Sequence, residues 1–297
     1  MSYDYAFQVL KARYCIVAII IAWYWQPGGQ FLASAIPTSE WYWPDVVFHY
    51  YAHGVMAFFV IAAARIAHLD VNRVLGCRLV RRHFPLIAFI VVFTFCASLA
   101  VVSLLFIPLS YLLPDFVTWW LAWAFQPVVY ISVDGIFPVG ANVLNFVSLV
   151  FLAPILEEFL FRGYLLHRWS KKWGLWIGVL LSSAAFGAIH PDTLAAAITG
   201  FGFAVLYLKT QTLWAPIAAH SIYNFVVWLW NYYGVMTDGP DYYTYTIDQL
   251  RADWWLGAVA LLIVVLLIDR VLKQKEPLGP FALPVLGGRK KTLAREH

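Results

Sequence analysis

Long apolar runs separated by short polar stretches dominate this chain. Runs of roughly 20 residues, the length that crosses about 30 Å of hydrocarbon, can be drawn eight times, centred on Ile19, Phe58, Val92, Phe151, Leu181, Gly202, Val226 and Val264. The pattern predicts an all-α polytopic membrane protein of about eight transmembrane helices. The first run is short before Gln26-Pro27-Gly28-Gly29 and is read as extending in broken form toward Ile36. Between the third and fourth runs, Pro108 to Gly140 is amphipathic, rich in aromatic residues and proline, and carries no basic side chain. It reads as an external interfacial element lying along the membrane. Small residues recur at helical spacing around Ser182 to Ala188 and at Ala196, Gly200 and Ala204. Such faces let helices approach closely, so the fifth and sixth spans should pack tightly beside the fourth. The proline- and glycine-rich tail after Lys273 reads as a mobile cytoplasmic extension.

The polar positions inside these runs are few. Glu157, Glu158 and Arg162 lie within the apolar segment Ala153-Pro154-Ile155-Leu156-Glu157-Glu158-Phe159-Leu160-Phe161-Arg162. Ionisable groups at that depth cost several kcal/mol unless paired, which marks them as functional candidates. Adjacent helical residues point about 100° apart, so the two glutamates face different ways. Arg162, four residues beyond Glu158, is placed to pair with it, and Glu157 keeps no local partner. The structural alternative is that both carboxylates only fix the helix within the bundle.

Composition sharpens this picture. Hydrophobic residues make up 62% of the chain and charged residues 12%, half the share of an ordinary soluble domain. The fifteen Trp and seventeen Tyr suit the two membrane–water boundaries. A net charge of +4 is too small and too dispersed to indicate nucleic acid. Its distribution is more telling, because an eight-span path puts Lys11, Arg13, Arg65, Arg73, Arg78, Arg81, Arg82, Arg168, Lys171, Lys172, Lys209 and the basic tail on one side. Both termini are therefore expected to be cytoplasmic. Cys15, Cys77 and Cys96 show no pairing pattern, and no signal-peptide cleavage site follows the first apolar run.

Further polar residues gather in the C-terminal half. Phe186 and His190 are four apart on the fifth span, and His220 and Asn224 are four apart on the seventh, so each pair shares a helix face. Together with Glu157 they could converge on one intramembrane active-site cavity. Singly, His190 could end a helix before Pro191 and Asn224 could join two helices. Burying all four without mutual contact would cost about 1–3 kcal/mol apiece. His49 and His53 share the spacing of a helical metal pair but lack a third ligand within the span, which favours an interfacial role. His68 and His83 read as solvated members of the basic loop.

Glu-Glu-x-x-x-Arg, Phe-x-x-x-His and His-x-x-x-Asn, in this order on successive helices, resemble the CPBP family, also called Abi. That family comprises the type II CAAX prenyl proteases and their bacterial relatives. The resemblance covers roughly Asn142 to Trp230. It implies Glu157 as catalytic acid/base, Glu158 with Arg162 as its supporting pair, His190 and His220 as catalytic histidines, and Asn224 as an oxyanion partner, with Phe186 in a supporting place. The chain then divides into N-terminal helices with the external segment (1–141), a CPBP-like catalytic core (142–235), and an outer loop, last span and basic tail (236–297). The implied activity is intramembrane endopeptidase action on a membrane-associated or lipidated protein or peptide. The expected setting is the lipid bilayer of a bacterial inner membrane.

Peptide hydrolysis there needs a confined water, a base and donors for the oxyanion. Glu157 fits the base, His190 could orient the water, and His220 with Asn224 could hold the oxyanion without a metal. Glu157, His190 and His220 are also a zinc ligand set with an open position; the metal-free scheme is preferred. Two other classes remain open. A proton-coupled transporter would bury similar residues but would often show paired repeats, which are absent. A non-catalytic scaffold or bacteriocin immunity factor would keep the motifs for packing.

Overall fold

A computed structural model describes residues 11–24, 31–32, 34, 40–66, 68, 70–132, 134–239, 245–273 and 283. Their regular structure is helical, with one isolated bridge between Gly76 and Thr212. In chain order the helices are α1 Ala12–Tyr24, α2 Trp43–Ile66, α3 Val71–Leu75, α4 Phe84–Leu112, α5 Pro114–Ala124, α6 Val139–Trp173, α7 Leu175–Ala188, α8 Thr193–Thr210, α9 Trp214–Asp238, α10 Ile247–Ala252 and α11 Trp254–Leu272. Each of the eight apolar centres lies inside one of them. Five, namely α2, α4 with its preceding turn, α6, α8 and α11, are long and apolar enough to cross a membrane. α1 and α7 are shorter apolar helices. α9 has the length, at 25 residues, but carries His220, Ser221, Asn224 and Asn231 among its apolar positions. The protein is an all-α membrane protein.

α6 is the helix that the others surround. All eight residues from Phe159 to Leu166 are buried, as befits a helix packed on every side. The core around them draws Cys15 and Ile19 from α1, Met56 from α2, Val74 from α3, Phe186 from α7, Tyr207 from α8 and Ile217 from α9. By contrast α11 lies against α4 with one face and leaves Leu262, Val265 and Leu266 exposed, an outer surface suited to lipid.

Small residues bring α7 and α8 together as expected. A Cβ on Gly187 would sit 2.4 Å from the Thr193 carbonyl and 2.8 Å from the Ala197 methyl, so only glycine permits this approach. The helix-connecting segments gather at separate places. Thr212, after α8, bonds through Oγ1 to the Leu75 carbonyl at 3.1 Å, and the Leu213 amide donates to that carbonyl at 2.9 Å. Elsewhere Tyr130 donates to Asp45 at 2.5 Å, and Arg251 donates through Nη2 to the Ser110 carbonyl at 2.7 Å.

Several expectations need correction. The Pro108–Gly140 segment is not one element: Pro108 lies inside α4, Pro114 opens α5, and Gly140 already belongs to α6. Proline is tolerated in the first turn of a helix because its missing N–H has no partner there anyway. His53 is buried within the protein, with Nδ1 3.0 Å from Oγ of Ser148. His83 is buried too, in the turn leading into α4, whereas His68 is exposed. The broken continuation of the first span toward Ile36 falls mostly outside the described residues. So does the tail after Lys273, apart from Leu283.

Candidate active site

The two carboxylates sit in an irregular part of α6. Ser148–Leu152 and Phe159–Leu166 form π turns, and between them Ala153–Glu158 is α-helical. Wide turns of this kind are common at functional sites. Pro154 gives a physical reason for part of the pattern. The Ala153 amide donates to the Ser148 carbonyl, five residues back. The next donor in that series would be residue 154, a proline without N–H. The Leu149 carbonyl is thereby left over, and Nδ2 of Asn224 on α9 donates to it at 2.9 Å. Away from water such a carbonyl has to be satisfied from within the protein.

Glu158 is fully buried and is held from two helices. Its Oε1 accepts from Nη1 of Arg162 at 2.8 Å and from Nδ1 of His220 at 3.0 Å. The Arg162 guanidinium is equally buried, donates through Nη2 to the Gly200 carbonyl at 2.8 Å, and lies 4.5 Å from the Phe186 ring centroid. A cation over an aromatic face gains electrostatic stabilisation. Sequence spacing placed Arg162 with Glu158, and the structure brings them together. His220 is a different matter. It was expected to serve the reacting centre beside Glu157, and it instead engages Glu158, which fixes its Nδ1 as a donor.

Glu157 faces another neighbour. It is 3% exposed, and its Oε2 has no hydrogen-bond partner among the described residues. Nε2 of His190, in the turn after α7, lies 3.9 Å from that oxygen. His190 is itself oriented by Phe186. Its Nδ1 is 2.7 Å from the Phe186 carbonyl, and the two rings are 4.5 Å apart. A carbonyl only accepts, so Nδ1 carries the proton and Nε2 turns toward Glu157.

The expected residues thus divide into two linked groups. Glu157 and His190 form one; Glu158, Arg162 and His220 form the other; Phe186 touches both, with its ring 5.5 Å from that of His220. Asn224 is bound to the Leu149 carbonyl, the acceptor that Pro154 leaves unmet. Nδ1 of His220 is directed at Glu158. Among the described residues no three His, Cys, Asp or Glu side chains are grouped to hold a metal ion. Gly200 was read from sequence only as part of a packing face. The small-residue repeat marked its position but carried no sign of its bond to Arg162.

Residues 139–226 match the family model described as type II CAAX prenyl endopeptidase Rce1-like. The three motifs lie within this match. It runs from the first residue of α6 to just beyond Asn224, and so contains every site residue named above. The chain is 40% identical over 80 residues to the Bacillus subtilis (strain 168) protein named "Putative membrane peptidase YdiL". It is 31% identical over 86 residues to a protein of Escherichia coli named "Uncharacterized 24.3 kDa protein". Each alignment covers 26% of this chain, and they cover 33% and 40% of those relatives' lengths. No solved structure matches the chain.

Proposed function

We propose that the protein is an intramembrane endopeptidase of CAAX-protease type, in which Glu157 activates a water molecule for attack on a peptide bond. The observation that carries this reading is the facing of Glu157 Oε2 and His190 Nε2 across 3.9 Å, within the Rce1-like stretch. That separation is too long for a direct hydrogen bond and suits a bridge through one water. A water about 2.8 Å from both atoms would subtend roughly 90° at its oxygen. With Nδ1 of His190 protonated and Glu157 ionised, both facing atoms are acceptors. Such a water donates both hydrogens, which leaves an oxygen lone pair for the scissile carbonyl. Glu157 then takes the proton and passes it to the leaving amine, as a general base turned general acid.

In this scheme Glu158 and Arg162 hold His220 from behind. Asn224, whose amide has a second hydrogen beyond the one given to Leu149, is a proposed oxyanion donor, and His220 joins it only as the imidazolium, because its Nδ1 hydrogen is already given to Glu158. No step needs a metal. The substrate is a membrane-associated protein or peptide, and the expected location is a bacterial inner membrane with both termini cytoplasmic.

The test is Glu157→Gln. The amide cannot accept the proton from water, so cleavage should cease while the fold persists, and the uncleaved substrate should accumulate in cells and be identifiable by mass spectrometry of membranes. Cleavage by Glu157→Gln at the native rate would refute the proposal.

A further inference from the structure

We infer that Gly200 is a positioning residue for the proposed hydrolysis, acting through Phe186 to set the tautomer and tilt of His190. The inference rests on the role proposed for His190 and concerns a position outside the three motifs. Gly200 is buried inside α8, where glycine is a poorer helix former than alanine. Something other than helix formation therefore accounts for it. A Cβ at this position would lie 3.2 Å from Nη2 of Arg162, 3.2 Å from Cδ1 of Phe186 and 3.3 Å from Cα of Ser183.

Two of these neighbours are not free to yield. Ser183 offers backbone, and Arg162 is tied at Nη1 to Glu158 and at Nη2 to the carbonyl of Gly200 itself. The Phe186 ring is the part that must move, by a few tenths of an ångström. On its other side that ring meets His190, centroids 4.5 Å apart and planes inclined by 31°. The same residue's carbonyl receives Nδ1–H of His190. The absent side chain at position 200 thus lets Phe186 sit where both its ring and its carbonyl engage the histidine. A methyl group there disturbs the seat of His190 while leaving every motif residue present.

The experiment uses full-length protein in lipid-containing micelles, labelled with 15N-histidine, with the His190 signals assigned from a His190→Gln variant. In the native protein Nδ1 should carry the proton. Gly200→Ala should shift the two ring-nitrogen signals toward a mixed tautomer. It should also lower kcat on an internally quenched fluorescent peptide roughly three- to tenfold, the scale for sub-ångström misplacement, with KM unchanged. The melting temperature should not fall, because alanine is the better helix former. Gly200→Val should enlarge both effects. An unchanged His190 spectrum in Gly200→Ala overturns the proposal, and so does a kcat loss accompanied only by a lower melting temperature, the mark of simple packing. If Glu157→Gln still cleaves, the hydrolase reading fails separately, and the histidine spectrum still decides whether Gly200 positions His190.

Discussion

Glu158→Gln removes the negative charge from a site where one oxygen receives two donors. In the native protein Oε1 holds Nη1 of Arg162 at 2.8 Å and Nδ1 of His220 at 3.0 Å, with Glu158 and Arg162 both at 0% exposure. Neutralising the acid leaves the Arg162 charge buried with only neutral acceptors, the new amide oxygen and the Gly200 carbonyl. Removing one partner of a buried pair costs about 3–5 kcal/mol, chiefly through the charge left behind. At about 2 °C per kcal/mol for a chain of this size, the melting temperature should fall by roughly 6–10 °C. Tryptophan fluorescence on heating detergent-solubilised protein measures it. Glu157→Gln serves as the comparison, because Oε2 of Glu157 gives up no hydrogen bond to a described residue, and it should melt within a degree or two of native. The double variant Glu158→Gln with Arg162→Met should recover part of the loss, since an apolar side chain of similar volume leaves no orphan charge. If Glu157→Gln is the destabilising change, or if the double variant melts lower than Glu158→Gln, the division of labour between the two acids is wrong.

Asn224→Leu leaves the Leu149 carbonyl without its 2.9 Å donor and should cost about 1–3 kcal/mol, seen as a lower melting temperature; Asn224→Asp should be worse, since it turns an acceptor toward an acceptor. A native melting temperature for both would refute the account of Pro154. Gly187→Val should drive α7 and α8 apart, because even the first carbon would lie 2.4 Å from the Thr193 carbonyl, and overpacking costs about 1–3 kcal/mol. Size-exclusion chromatography should show lost monodisperse protein, and a native profile would contradict the close approach.

The sequence was most legible where a rule is local. Apolar length put each of its eight centres, from Ile19 to Val264, inside a helix, and the four-residue step from Glu158 to Arg162 was enough to foresee their pairing. Contacts between helices were harder. The spacings of His190 and His220 say which faces they share with Phe186 and Asn224, but not which acid each meets. The structure turns His190 to Glu157 and His220 to Glu158. Two histidines show the same limit from another side: His53 bonds Ser148, 95 residues along the chain, and His83 is buried in a turn. Their neighbours in sequence suggested aromatic or basic boundaries. The π turns were invisible to any reading based on a uniform 3.6-residue period, although Pro154 stood at the place where one of them ends.

Those wide turns make α6 tolerant of length in one place and intolerant in the next. A π turn closes its hydrogen-bonded ring with one more residue than an α turn, so it is slack held in the helix. Loss of one residue between 148 and 152 can be taken up by tightening to α geometry, with the carboxylates still facing their histidines. Loss of one residue between 153 and 156 has no such reserve. It would swing Glu157 and Glu158 by about 100° and draw them back by about 1.5 Å, turning Glu157 from His190 and Glu158 from His220 without altering either acid. Across descendants of this chain, the count of residues between Pro154 and Glu157 should therefore be held more tightly than their identities.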